Sequence, residues 1–266
     1  MVNWVAQKMK VSLSDDRKAE YFFSRNDFSV NVNELIGKEI RLFWNGNIWC
    51  QDCGKKTNKS FGEGLCYKCF LTSAQASECI IRPELCRAHL GEGRDLDFEM
   101  KNHNQPHIVY LAATNSVKVG VTRASNIITR WLDQGAAKAL VLAEVPYRQL
   151  AGEIEVALKD YFTDKTNWQK MLTNAAGDDT DLVEEKWRIA EEMPGDLQQF
   201  WSENDDVYEL NYPVLNYPQK VSSMNFDKTN EISGELSGIR GQYLYLNGNQ
   251  VLNIRRHTGY ELELSW

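Results

Sequence analysis

No apolar run in this 266-residue chain approaches the ~20 residues that a membrane-spanning helix needs, and the mean hydropathy is −0.49. An integral helical membrane protein is thereby excluded. The opening MVNWVAQKMKVSLSDD lacks the uncharged apolar core of a secretory signal, so cytoplasmic residence is the expectation. Excess positive charge is missing as well. With 30 Lys and Arg against 37 Asp and Glu, the formal charge is −7. Coating nucleic acid by bulk electrostatics is disfavoured, and any such contact has to be local. There is neither an internal repeat nor a low-complexity segment. What remains, 42% hydrophobic and 25% charged, is an ordinary globular composition with length for two or three compact units.

Charge is unevenly spread. Residues Gly177 to Asp196 are acidic, whereas Lys55, Lys56, Lys59 and Lys68 crowd the first group of cysteines. Either a basic face coexists with an acidic total, or both are plain solvated surfaces.

Six cysteines without a secretory signal point away from a disulfide framework and toward metal or reactive thiols. The segment WCQDCGKKTNKSFGEGLCYKCF reads C-x2-C-x12-C-x2-C, two knuckles with zinc-ribbon spacing. Zn(II) takes four thiolates in a tetrahedron, and Gly54, Gly62 and Gly64 let the backbone turn closely around it. Cys50, Cys53, Cys66 and Cys69 are therefore the expected ligands of one structural zinc. Downstream, Cys79 and Cys86 are followed by His89, His103 and His107. Cys79, Cys86, His89 and His103 are the favoured set for a second zinc, with His107 set aside because it begins an apolar strand. Buried thiols with surface histidines are the plain alternative.

Along the chain, residues up to Trp49 alternate apolar and polar, with a hairpin turn expected at Asn45-Gly46. HIVYLAA and VKVGVT form a second expected hairpin around Asn115-Ser116. A helix containing Ile127, Ile128, Trp131 and Leu132 follows, then the strand ALVLAEVPY. An amphipathic helix then carries Leu150, Ile154, Leu158, Tyr161 and Phe162. Trp168 to Phe200 reads as acidic helix, broken near Pro194-Gly195. The last stretch, with Asn247-Gly248 between β-formers, reads as a terminal β-meander that can share a sheet or small barrel with the first strands.

IVYLAATNSVKVGVTR, a helix with Arg130, a strand ending EVPY and a helix with an acidic residue together resemble the GIY-YIG endonuclease superfamily, including the module of phage homing endonucleases. The resemblance covers roughly residues 107–170. Zinc knuckles before this module and a GQYL…GY meander after it also resemble a bacterial zinc-knuckle family of uncharacterised activity. The GIY tripeptide falls on Ile108-Val109-Tyr110 and YIG on Lys118-Val119-Gly120. The resemblance implies catalytic roles for Tyr110, Lys118, Arg130, Glu155 and Asn167, with Mg(II) or Mn(II) at Glu155. Lys118 replaces the second tyrosine and Ile108 the first glycine. Active members can carry lysine at the former position.

The expected organisation is α+β. It comprises an N-terminal β region (1–49), a zinc-binding region (50–106) and a GIY-YIG-like β-β-α-β-α domain (107–175). An acidic helical segment (176–205) and a C-terminal β-meander (206–266) complete it. Phosphodiester hydrolysis needs a base, a cation on the phosphate and a metal, which Tyr110, Lys118, Arg130 and Glu155 can supply. Each also has a structural explanation: a packed aromatic, a strand-edge charge, a paired helix residue. Two readings stay open, a metal-dependent phosphodiesterase acting on DNA or RNA, and a catalytically silent zinc-ribbon module that binds structured RNA, the ribosome or a protein partner.

Overall fold

The computed structural model describes residues 1–26, 28–162, 167–174 and 180–266. The first residues of the acidic stretch, 177–179, lie outside them. In chain order the elements begin with β1 (Val2–Val5), β2 (Lys10–Leu13), β3 (Ala19–Arg25), β4 (Phe28–Asn31), β5 (Glu39–Trp49) and β6 (Lys56–Thr57). Next come α1 (Tyr67–Thr72), α2 (Leu96–His103), β7 (His107–Ala113), β8 (Val117–Arg123), α3 (Ile127–Asp133), β9 (Lys138–Val145) and α4 (Arg148–Leu158). The remainder are α5 (Trp168–Leu172), α6 (Leu182–Arg188), β10 (Tyr208–Glu209), β11 (Ser222–Met224), β12 (Glu231–Arg240), β13 (Tyr243–Leu246), β14 (Gln250–Asn253) and β15 (Tyr260–Ser265). The fold class is α+β, with a zinc-ribbon-like cysteine region. No helix among the described residues is long and apolar enough to cross a membrane.

The chain divides into two compact units: Met1–Leu71, Leu172–Asn174 and Asn211–Trp266 form one, Thr72–Met171 and Ala175–Leu210 the other. In the first unit, strands run in the order β1-β15-β5-β12-β13-β14-β11, with β6 against β5, and β2-β3-β4 make a small second sheet. Period-two burial builds it: Ile40 and Leu42 on β5, and Leu262 and Leu264 on β15, all point into the core, with Leu42 opposite Leu264. Asn45-Gly46 is not a hairpin turn, contrary to expectation. β5 runs straight through it, and the register with β15 shifts between Tyr260↔Ile48 and Leu262↔Trp44, leaving extra residues on β5. Gly46 carries φ +87° there; positive φ serves a bulge as well as a turn. Asn247 and Gly248, both at positive φ, do turn β13 into β14. The C-terminal strands are not a simple meander, because β11 joins β14 in parallel and β15 returns to lie between β1 and β5.

In the second unit the sheet order is β10-β9-β7-β8. Every residue of β7 is buried, because both sheet faces are covered. Val109, Leu111 and Ala113 pack with Ala151, Ile154 and Leu158 of α4 and Leu182 of α6. Tyr110, on the other face, meets Trp131 of α3 edge to face at 5.9 Å. α4 ends at Leu158, and Tyr161, expected on its apolar stripe, lies in the following 3-10 turn with 42% exposure. The acidic region forms short helical pieces, of which α6 is the longest described, capped by Asp181 on the backbone N–H groups of Val183 and Glu184.

Candidate metal centre and sheet-face cluster

The two knuckles expected to bind zinc converge. Sγ atoms of Cys50, Cys53, Cys66 and Cys69 all lie within 4.8 Å of one another, and Cys53 and Cys66 are 3.9 Å apart. Four thiolates about 2.3 Å from one ion sit about 3.8 Å from each other, so this donor set fits a tetrahedral zinc. Burial acts to raise the Cys50 thiol, but backbone N–H groups of Cys53, Cys66 and Asp52 outweigh it and hold the thiol down, at about 7. The Cys66 N–H to Cys50 Sγ distance is 3.2 Å. This four-cysteine cluster is able to hold a zinc ion.

Around it the surface combines cations and rings. Lys55, Lys56, Lys59 and Lys68 are exposed. Tyr67 is 60% and Phe70 38% exposed, and Phe61 contacts both rings, at 5.5 and 5.9 Å. Lys59 Nζ stands 5.2 Å from the Phe61 centroid. These aromatics escaped sequence reasoning. Their signal was position, with Tyr67 inside the second knuckle and Phe61 and Phe70 flanking it in a lysine-rich segment.

In the second unit, Cys79, Cys86 and His103 are brought together and buried. His89 lies outside that cluster, its ring stacked on Tyr147 at 4.3 Å. The Cys79 thiol is held down at about 4, chiefly by a hydrogen bond with Cys86, against burial and with help from His103; Cys86 is correspondingly raised.

The residues singled out by resemblance separate into groups. Register pairs Tyr110 with Gly120 and Ala112 with Lys118, which puts Tyr110 and Lys118 on one face of the sheet. Gly120 is required there: a Cβ would stand 2.6 Å from the Tyr110 hydroxyl. Arg130, from α3, lies within electrostatic reach of that hydroxyl, and Gln134 Nε2 donates a hydrogen bond to it. Gln134 was not anticipated; it lies just past the helix end, where sequence offers no pointer to a tertiary partner. Tyr110 has no solvent exposure, and burial pushes its phenol up despite Arg130 and Gln134. At neutral pH the group is an un-ionised phenol.

Glu155 lies within electrostatic reach of Tyr110 and Arg130, yet its side chain lines a solvent-open cavity of about 230 Å³ with Arg82, Glu84, Val119, Lys159 and Phe162. Asn167 stands apart. Its Oδ1 accepts from the backbone N–H groups of Gln169 and Lys170, capping α5.

A family model described as "Protein of unknown function (DUF2797)" matches residues 37–262, and the chain belongs to that family. Neither the curated proteins nor the solved structures contain a match.

Proposed function

We propose that this DUF2797 protein binds single-stranded nucleic acid through its zinc ribbon, with the Tyr110–Arg130 cluster serving to pack the central sheet. The observation that carries this reading is the ribbon surface, where four exposed lysines share a segment with the exposed Tyr67 and Phe70, and Lys59 stands over the Phe61 ring. Lysines supply phosphate contacts, and an accessible ring supplies a stacking face for a base. Zinc contributes by fixing a segment too small to hold these groups with a core of its own. An acidic whole is compatible with this, since the positive charge is local. The resemblance of residues 107–170 to a nuclease superfamily supports nucleic acid as the ligand class. Fluorescence anisotropy with labelled single-stranded RNA and DNA tests it. Tyr67→Ala is expected to cost about 1–3 kcal/mol of binding, the worth of one stacked base. Equal affinity of the variant and the wild type would remove the stacking role, and binding of neither strand type would end the proposal in favour of a protein partner.

One observation favours a second reading, phosphodiester hydrolysis. Arg130 and Glu155 are mutually within electrostatic reach, and Glu155 opens on a cavity that also offers Lys159 and Arg82. In that reading Glu155 holds Mg(II) or Mn(II) largely through water and substrate oxygens. Its test is cleavage with either ion that is lost in both Glu155→Ala and Arg130→Ala.

A further inference from the structure

One group of ligating side chains plays no part in the nucleic-acid reading: Cys79, Cys86 and His103. For a tetrahedral zinc with Zn–S near 2.3 Å and Zn–N near 2.05 Å, sulfur and nitrogen stand about 3.6 Å apart. His103 Nδ1 is 3.5 Å from Cys86 Sγ and 3.8 Å from Cys79 Sγ. All three side chains are buried, at 7% exposure or less. Three ligands leave one corner of the tetrahedron, and a closed structural site fills it from the protein.

Two histidines adjoin the cluster in sequence. His89 Nδ1 is buried without a hydrogen-bond partner among the described residues, but that ring is held flat against Tyr147. His107 is fully buried; its Nδ1 donates to the Gln105 carbonyl at 2.7 Å, and its Nε2 has no hydrogen-bond partner among the described residues. Such a tautomer leaves an Nε2 lone pair bare in the interior, a costly state unless something accepts it. A metal-bound histidine is held in the same way, its non-ligating N–H fixed by a backbone carbonyl. Only residues 104–106 separate His107 from His103, and the two rings lie within electrostatic reach.

We infer that Cys79, Cys86, His103 and His107, the last through Nε2, hold a second structural zinc ion. His107 Nε2 is not among the atoms within 4.8 Å of one another, so the fourth bond requires its ring to come closer to the other three ligands when the ion binds. The ion ties the turns at Glu78–Leu85 to the end of α2 and the start of β7. The same turns are gripped by α4. Arg148 donates to the Cys79 and Ile80 carbonyls, each at 3.0 Å, and Gly152 lies so close that a Cβ would stand 2.1 Å from the Glu84 nitrogen. Because Arg82, Pro83 and Glu84 line the cavity beside Glu155, the second zinc fixes one wall of that cavity. This inference stands whether or not the ribbon binds nucleic acid.

Elemental analysis and zinc X-ray absorption on the purified full chain test it. The expected result is two zinc ions per chain, with an average shell of about three sulfurs and one nitrogen, the mean of S4 and S2N2 sites. His107→Ala should lose one ion, or release it to a chelator at least about tenfold faster. His89→Ala should keep both at the wild-type rate. His107→Cys should also keep both and raise the average to about 3.5 sulfurs, which protects the test if the alanine variant misfolds. One all-sulfur zinc in the wild type would overturn the inference. So would two ions in His107→Ala at the wild-type release rate, or loss of an ion from His89→Ala.

Discussion

In the ribbon segment four lysines, Tyr67 and Phe70 are exposed beside a sulfur cluster, whereas on the α3 side of the central sheet Tyr110 is fully buried against Trp131, with Gln134 on its hydroxyl and a half-buried Arg130 nearby. Both places carry residue types that recognise phosphate or base. The ribbon's lysines, Tyr67 and Phe70 are exposed, while Tyr110 is not. A phenol that is fully buried and already accepts from Gln134 has its hydroxyl engaged by the fold. The difference teaches that a motif-like set of residues is weighed by where its polar atoms end, and here that favours binding over cutting.

The comparison breaks most visibly if zinc is taken from the ribbon. Structural zinc is worth on the order of 10 kcal/mol or more to a small site, beyond what a 22-residue segment recovers from packing. Cys50→Ala, which disturbs the ribbon's cysteine set and leaves Cys79, Cys86 and His103 in place, should open residues 50–71 to protease while hydrogen exchange in β7 and β9 stays slow. Parallel loss of protection in both places would mean that the ribbon is not a separate element. Next in size is Tyr110→Phe. Removing the hydroxyl takes one acceptor from Gln134 Nε2, which keeps the Arg130 carbonyl, at a cost of about 0.5–1.5 kcal/mol in urea unfolding. Oligonucleotide affinity should not change, and an affinity loss would move the ligand to the sheet face.

A smaller effect sits in the first unit at His257. Its ring is 1% exposed, donates from Nδ1 to the Asn253 carbonyl and accepts from the Phe226 N–H. Burial pulls its pKa below the usual imidazole value, against the pull of that carbonyl and of Asp227. The unfolded chain takes up a proton near pH 6.5 and the folded ring does so only at lower pH. This group's contribution is therefore present above about pH 6.5 and is lost as pH falls below it, by at most about 1.4 kcal/mol per pH unit. His257→Gln should flatten that part of the stability profile. The smallest expected change is none: Glu155→Ala should bind oligonucleotides as the wild type does, and a clear loss would favour the hydrolytic reading.

How much of this was legible beforehand depended on how local the cause was. The ribbon could be read because C-x2-C turns bring sulfurs together within a few residues. The central β-β-α-β-α order could be read because β7 and β8 are short apolar runs around a turn and α4 carries its helical period in its own side chains. Asn45-Gly46 misled, since positive φ marks a bulge in a long strand as readily as the end of one. The return of β15 between β1 and β5, and the capture of Tyr110 by Gln134, are long-range pairings that no local pattern encodes. Among the histidines, apolar flanking of His107 argued against a ligand, and that same burial is what leaves its Nε2 bare.

The most direct measurement is the salt dependence of oligonucleotide binding for wild type and a variant with Lys55, Lys56, Lys59 and Lys68 all changed to Gln. If these side chains meet phosphates, the slope of log affinity against log salt should become shallower by about 3 in the variant, at roughly 0.7 per contact on a single strand, with zinc content unchanged. Identical slopes for the two proteins would contradict the account.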